Sequence, residues 1–163
     1  MKILAPLICL RNRVSKKMAI SYANQLTDWQ PPLPESIYAL ANYCMKHIFW
    51  ISDPLRGLLD HIQPVKHMNW QLEKYGTLMG DCDDSATWIA YMLKRMGFPV
   101  VYRVNIVRYT HVICVFQYAD KQYRVFTNNQ LIVGDNKSVA KAVDHWCDYA
   151  RKGHTNLYYA ERM

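Results

Sequence analysis

A cysteine with three aspartates around it lies in the stretch GDCDDSA, residues 80–86. Asp81 is suited to cap a helix, because a side-chain oxygen at that position accepts a backbone N–H of the first turn. Asp84 falls at the position of a capping-box acid. Cys82 then lies in the first turn, where free N–H groups and the helix dipole favour negative charge. This placement suits a nucleophilic thiol despite the acidic neighbours.

Three roles are open to Cys82. It continues an apolar stripe of helical spacing, so it can be a core residue, which is the commonest role of a cysteine. A calcium loop starting at Asp81 is not supported, since Ala86 replaces the required glycine and Met92 the closing glutamate. A nucleophile needs a histidine base and a third group that orients the histidine. The stripe consists of Cys82, Ala86, Ile89, Leu93 and Met96.

His111 is the candidate base. It begins the apolar stretch HVICVFQY, residues 111–118, where alternation places it on the same face as Ile113 and Val115. A structural histidine is the alternative, and a lone strand histidine is more often of that kind. A histidine at the start of a strand, shortly after a helix headed by cysteine, favours the catalytic role.

Asn128 is the candidate orienting residue. A two-residue turn at 120–121 pairs Tyr118 with Tyr123, and the same count pairs Ile113 with Asn128. Asn128 then shares the face of His111, and its carbonyl oxygen can accept from the imidazole. Thr127 faces away unless a bulge shifts the register, and Asn129 is a further alternative for the third residue.

The surrounding pattern predicts an α+β domain with an antiparallel sheet. Apolar residues at helical spacing predict helices over 35–50, 82–96 and 137–151. Between the last two helices, β-branched and aromatic residues predict strands over 100–108, 111–118 and 123–128. Because the strands follow one another between helices, antiparallel pairing is expected.

Length and charge bound the remaining possibilities. The 163 residues predict one domain, 1–163, with the motif-bearing core at about 35–130. The net charge of +7 favours acidic partners such as nucleic acid, but the basic residues are scattered apart from RNRVSKK at 11–17. No ribonucleoprotein-type aromatic motif is present, so nucleic-acid binding has weak support.

The N-terminal stretch and the cysteines indicate a location. MKILAPLICL, residues 1–10, has no small-x-small cleavage site and predicts a buried strand or extended segment. No apolar run reaches the length of a membrane span. The five cysteines form no CxxC pair, so we expect no structural zinc, no other metal and no cofactor. Their wide spacing suits a reducing compartment, and a cytoplasmic location is predicted.

GDCDDSA resembles the GDCED-x-A nucleophile motif of the transglutaminase-like superfamily, especially its bacterial transglutaminase-like cysteine peptidases. The resemblance implies a papain/transglutaminase-like fold, in which the nucleophile helix packs on a small antiparallel sheet. It also implies that Cys82 is the nucleophile and His111 the base. Upstream, Trp70 and Glu73 are similar to the family's tryptophan and glutamate, and FWISDP resembles its aromatic segment ending in aspartate, here Asp53. The likeness spans roughly Glu35 to Gln130.

The chain departs from the family at one position. The family has an aspartate after the second strand, whereas this chain has FTNN at 126–129. Either Asn128 orients His111 or the site is weakened, because an amide cannot stabilise imidazolium by charge.

The predicted function is cysteine-dependent acyl transfer on an amide or peptide bond of a protein or peptide substrate, through a thioester of Cys82. Hydrolysis is favoured over transamidation. The Cys82 backbone N–H and a second donor, Trp70 or Gln71, form the oxyanion hole. We expect a small electrophile at mildly acidic pH to modify Cys82 first. The alternative is a weak or inactive transglutaminase-like fold used as a basic binding module.

Overall fold

The computed structural model describes residues 28–51 and 62–163. The N-terminal stretch MKILAPLICL, the basic stretch at 11–17 and Asp53 lie outside the described residues. Within the two described ranges, every helix is too short or too polar to cross a bilayer.

The described ranges contain four α-helices and seven β-strands. The helices are α1 (Ile37–His47), α2 (Val65–Tyr75), α3 (Cys82–Arg95) and α4 (Val139–Tyr149). The strands are β1 (Ile48–Trp50), β2 (Leu78–Gly80), β3 (Val101–Ile106), β4 (His111–Ala119), β5 (Gln122–Thr127), β6 (Gln130–Asn136) and β7 (Tyr158–Arg162). A short 3-10 helix, Val107–Tyr109, joins β3 to β4.

The predicted α+β class with an antiparallel sheet is confirmed. Five strands pair antiparallel in the order β6-β5-β4-β3-β7, while β1 and β2 form a separate parallel pair. The three strands predicted from β-branched and aromatic residues are β3, β4 and β5. The sequence did not predict α2, β1, β2, β6 or β7. The helix predicted over 35–50 ends at His47, and β1 begins at the next residue.

Helix capping accounts for several boundaries. Ser36 accepts the Ala39 N–H at 3.1 Å at the start of α1, and Ser138 accepts the Lys141 N–H at 3.2 Å at the start of α4. Each bond satisfies one of the N–H groups that have no partner within the helix.

The sheet has apolar side chains on both faces, and each face is covered by a helix. Alternate residues of β4, such as Cys114 and Phe116, pack in one cluster with Trp88 of α3. The residues between them, such as Val115, pack in a second cluster with Trp146 of α4. The strand alternation of period two therefore places neighbouring β4 residues against different helices.

The register between β4 and β5 differs from the predicted one. Gln117 pairs with Tyr123 and Ala119 with Gln122, with an irregularity between Gln117 and Ala119. This extra residue in β4 moves the pairing by one position, so that Ile113 pairs with Thr127 instead of Asn128. The predicted pairing of Ile113 with Asn128 is therefore wrong, and the bulge is the physical reason.

Strand β2 leads directly into α3 through Gly80. A Cβ atom on Gly80 would lie 2.5 Å from Asp84 Oδ2 and 2.7 Å from Asp84 Cβ. The Asp84 carboxylate cannot easily move away, because both of its oxygens accept hydrogen bonds from Gln63 at 2.7 Å. The glycine before the motif is thus required by close approach.

We expect Gly80→Ala to lower the free energy of unfolding by about 2 kcal/mol, the usual cost of forcing extra volume into a packed site. Urea denaturation measures this change. Gly153→Ala is the matched control, since its Cβ would meet its nearest atom at 3.6 Å, an ordinary contact. Equal stability of the two variants would contradict the packing argument.

Candidate active site

The start of α3 presents the cysteine. Asp81 Oδ1 accepts the backbone N–H groups of Asp83 at 3.0 Å and Asp84 at 3.4 Å, which confirms the predicted cap. Cys82 is the first residue of the helix, and its thiol is partly exposed. The cap holds the cysteine at the end of α3 that carries the partial positive charge of the helix dipole.

Asp84 has a different role from the capping box suggested by its position. Its carboxylate accepts the backbone N–H and the side-chain N–H of Gln63, both at 2.7 Å. Gln71 Nε2 donates to Gln63 Oε1 at 2.6 Å, and the Met79 N–H donates to Gln71 Oε1 at 2.8 Å. This chain of hydrogen bonds ties α2 and β2 to the first turn of α3.

The two candidates for the second oxyanion donor, Trp70 and Gln71, lie on α2 in different surroundings. Gln71 is buried, and its amide takes part in the network with Gln63. Trp70 lies with its ring 5.4 Å from the His67 ring and 5.5 Å from the Tyr75 ring. The second donor stays a prediction. Glu73, the other upstream match, is exposed.

The Cys82 thiol contacts the beginning of β4. A hydrogen bond from the Val112 N–H lowers its pKa, but burial, the largest effect, raises the pKa to about 11, with Asp81 and Asp83 adding to the rise. The thiol is therefore protonated at neutral pH. This disagrees with the expectation that Cys82 reacts fast at mildly acidic pH, because the thiolate is the reactive form.

His111 lies at the first position of β4, one residue before the amide that contacts Cys82. Its Nε2 atom is 2.8 Å from Thr127 Oγ1, and its ring stacks on Trp146 with the centroids 5.0 Å apart and the planes at 15°. Burial lowers the pKa of His111, while Asp81 acts in the opposite direction. The lowered pKa of His111 and the raised pKa of Cys82 both favour the neutral forms.

The residue that contacts His111 is Thr127, so the geometric prediction for Asn128 is wrong. The bulge in β4 brings Thr127 onto the His111 face. Asn128 lies in the turn before β6 with φ at 48°, and its Oδ1 atom is buried without a hydrogen-bond partner in the described part of the chain. Asn129 donates to the Ile48 carbonyl at 3.3 Å. No sequence signal distinguished the bulge from a regular hairpin.

Cys82 and His111 lie on different sides of the beginning of β4, and no hydrogen bond joins these two described residues. The cysteine packs with the α3 cluster, whereas the imidazole packs on Trp146 of α4. Catalytic hydrogen bonds are often long or poorly aligned before substrate binds.

A pocket of about 280 Å³ borders the imidazole. His111, Thr127, Trp146 and Tyr149 line it together with the turn 128–130, and none of its lining residues is an acid, a lysine or an arginine. Trp146 and Tyr149 come from α4, whose contribution to the site the sequence did not predict.

The carboxylates near Cys82 form a tight group. Oxygens of Asp81, Asp83 and Asp84 lie within 4.8 Å of one another, so they are the described residues that could hold a metal ion. Asp81 and Asp84 are already engaged, in the helix cap and with Gln63. Asp83 Oδ2 lies 3.4 Å from Arg103 Nη2. Burial raises the pKa of Asp83, its hydrogen bond with Asp81 adds to the rise, and Arg103 only partly offsets it.

No family model matches this chain, and no curated protein is similar to it at a significant level. The transglutaminase-like resemblance therefore stays a prediction that rests on the motif residues around Cys82 and on the order of the site residues.

Asp83→Asn should make the protein more stable relative to the wild type as the pH is raised. The folded chain holds a proton on Asp83 that the unfolded chain releases above its pKa of about 3.9, so folding takes up a proton and stability falls with rising pH. An amide mimics the protonated acid and removes this dependence. Urea denaturation at about pH 5 and about pH 8 measures the change. If Asp83→Asn becomes less stable relative to the wild type at the higher pH, the raised pKa of Asp83 is contradicted.

Asp84→Asn is expected to lower the stability of the fold. Its new NH₂ group would face one of the two Gln63 donors, leaving a buried polar group without a partner. Such a loss costs about 1–3 kcal/mol, which the same denaturation experiment would detect.

Proposed function

We propose that this protein is a cysteine-dependent acyl-transfer enzyme with a papain/transglutaminase-like arrangement, acting on an amide or peptide bond, with hydrolysis favoured over transamidation. One observation carries the proposal. The Cys82 thiol at the start of α3 lies against the Val112 amide, directly after His111, whose imidazole is hydrogen-bonded to Thr127.

The order of elements supports this proposal. The nucleophile candidate begins a helix that packs on the sheet, and the base candidate begins the central strand of that sheet. The third position follows on the neighbouring strand β5, where Thr127 replaces the aspartate of the family. A thiol, a base and an orienting group are the parts that nucleophilic catalysis requires.

The reaction proceeds through a thioester. His111 takes the proton of the Cys82 thiol as sulfur attacks the carbonyl carbon, and the negative oxygen that develops accepts the Cys82 N–H, which has no partner within the helix at its first position. The C–N bond then breaks, and the imidazolium gives its proton to the leaving amine. Water attacks the thioester with its proton passing to His111, which releases the acid and restores the thiol.

The electrostatics predict a slow enzyme. A threonine hydroxyl cannot stabilise imidazolium by charge as a carboxylate does, and burial disfavours both charged partners. Asp81 is the carboxylate that raises the pKa of His111. The resting pair is therefore neutral. His111 acts as a general base during the attack, and no thiolate–imidazolium pair forms beforehand.

Alkylation of Cys82 tests the role of His111. We expect the iodoacetamide rate of His111→Ala to rise about tenfold per pH unit between about pH 7 and pH 9, because only the thiolate reacts and the pKa of the thiol lies above this range. General-base help from His111 should make the wild-type rate rise less steeply. Selective labelling alone proves little, since Cys44, Cys114 and Cys147 are buried. His111→Ala should slow the Cys82 reaction about tenfold or more.

His154→Ala is the matched control for that experiment, because His154 is exposed and bonds to Asp148 at 2.7 Å. It should leave the Cys82 rate unchanged. If His111→Ala and His154→Ala behave alike, His111 is not the base of Cys82.

A trapped acyl intermediate tests the reaction itself. Incubation with an activated peptide ester should add the acyl mass to the intact protein, and Cys82→Ala should abolish the adduct. A primary amine should leave the rate of product formation and the acid product unchanged if the enzyme is a hydrolase, and should appear in the product if it is a transferase.

A basic binding module is the second candidate, favoured by the hydroxyl in place of the carboxylate at Thr127 and by the net charge of +7. Salt-sensitive binding of an acidic polymer, unchanged by Cys82→Ala and accompanied by no acyl adduct, would support the module and contradict the enzyme.

A further inference from the structure

Two ring N–H candidates converge on one hydroxyl in the site. Trp146 Nε1 donates to Thr127 Oγ1 at 3.1 Å, and His111 Nε2 lies 2.8 Å from the same oxygen. Thr127 is 6% exposed and Trp146 4% exposed, so water does not freely replace either partner. The hydrogen-bond donors and acceptors of this cluster can therefore be counted against one another.

A threonine hydroxyl has one proton to donate and two lone pairs to accept, whereas an indole N–H only donates. Trp146 thus occupies one lone pair of Thr127 Oγ1. If His111 Nε2–H also donated, both lone pairs would be filled and the buried hydroxyl proton would have no acceptor among its contacts in the described residues. If the hydroxyl donates to an unprotonated Nε2, the hydroxyl, the indole N–H and Nε2 all have a partner, which buried polar groups strongly prefer.

We propose that Trp146, acting through the Thr127 hydroxyl, holds the resting His111 with its proton on Nδ1. The proposal rests on the acyl-transfer function, because Nδ1 is the nitrogen that Thr127 leaves for the Cys82 proton. In a neutral imidazole the nitrogen that carries the proton has no free lone pair, so an Nδ1–H cannot take the thiol proton. Trp146 is therefore a positioning residue that restrains the site at rest.

Stacking strengthens this restraint. The indole lies nearly parallel to the imidazole, with the planes at 15° and the centroids 5.0 Å apart. The ring orientation of His111 is thereby fixed by the same side chain that fixes the hydroxyl. Release of the restraint needs no ring rotation. Water takes the Nδ1 proton and another water gives one to Nε2, while the hydroxyl turns its proton away and accepts from Nε2–H.

The wild-type protein provides the direct test. A long-range proton–nitrogen NMR spectrum of ¹⁵N-histidine-labelled protein, with His111 assigned by its loss in His111→Gln, reports which ring nitrogen carries the proton. At about pH 7.5 we expect Nδ1 protonated and Nε2 unprotonated. A resting Nε2–H tautomer would overturn the proposal.

Thr127→Asp is the first variant. An ionised carboxylate only accepts, so it must take both the Trp146 N–H and an Nε2–H from His111. We expect the proton to move to Nε2 and the alkylation rate of Cys82 at about pH 7.5 to rise about tenfold, because the base-competent tautomer, a minor population in the wild type, becomes the main one. Thr155→Asp adds the same charge elsewhere and should change neither the tautomer nor the rate.

Trp146→Phe is the second variant, since it keeps a stacking ring and removes the N–H. The hydroxyl then regains a free lone pair, both tautomers become populated, and the Cys82 rate should rise about threefold or more, because base-competent His111 becomes populated. An unchanged tautomer in folded Trp146→Phe would contradict the role of the indole.

The outcomes separate the two hypotheses. If the alkylation rate of Cys82 is the same in the wild type and in His111→Ala, the proposed function is refuted, whichever tautomer His111 adopts. If wild-type His111 carries its proton on Nε2, the proposed restraint by Trp146 is refuted, and the proposed acyl-transfer function is unaffected. If a variant does not fold, the wild-type spectrum alone decides on the restraint.

Discussion

The alternation of side chains along β4 is the constraint on which the rest of the site depends. This strand is central in the sheet, and both of its faces are covered by helices. His111 must therefore point to the α4 side, while the Val112 amide faces the start of α3 and receives the Cys82 thiol. Cys82 and His111, the proposed nucleophile and base, therefore belong to different layers of the fold.

Most of the conspicuous acids around the cysteine serve the fold. Asp81 caps α3, and Asp84 receives two hydrogen bonds from Gln63 across a contact so close that residue 80 must be glycine. Asp83 is buried, and its burial raises the pKa of its carboxyl. The aspartates of a motif that resembles a catalytic signature thus hold the first turn of α3 in place. Cys82 is positioned by that turn.

The chemistry that follows depends on a hydroxyl. A carboxylate beside the imidazole would draw the proton to Nε2 and stabilise the charged ring, whereas Thr127 can donate as well as accept. In the proposed arrangement the direction of that hydroxyl depends on its other partner, Trp146, which lies 19 residues further along the chain. The third position of the site is therefore set by two residues that act together.

Local patterns were sufficient for the elements that carry the site. The helical stripe after Asp81 predicted α3 to within a residue, and β-branched runs predicted β3, β4 and β5, because the apolar period is set by neighbours in sequence. The same patterns placed Cys82 and His111 at the starts of their elements.

Long-range packing was needed to determine the residues that surround Cys82 and His111. The bulge near Tyr118 exchanged Asn128 for Thr127, since one extra residue in a strand reverses which side chains share a face, and the contact of Trp146 with His111 arises only when α4 packs on the sheet. The raised pKa of Cys82 likewise comes from burial, which no short stretch of sequence encodes.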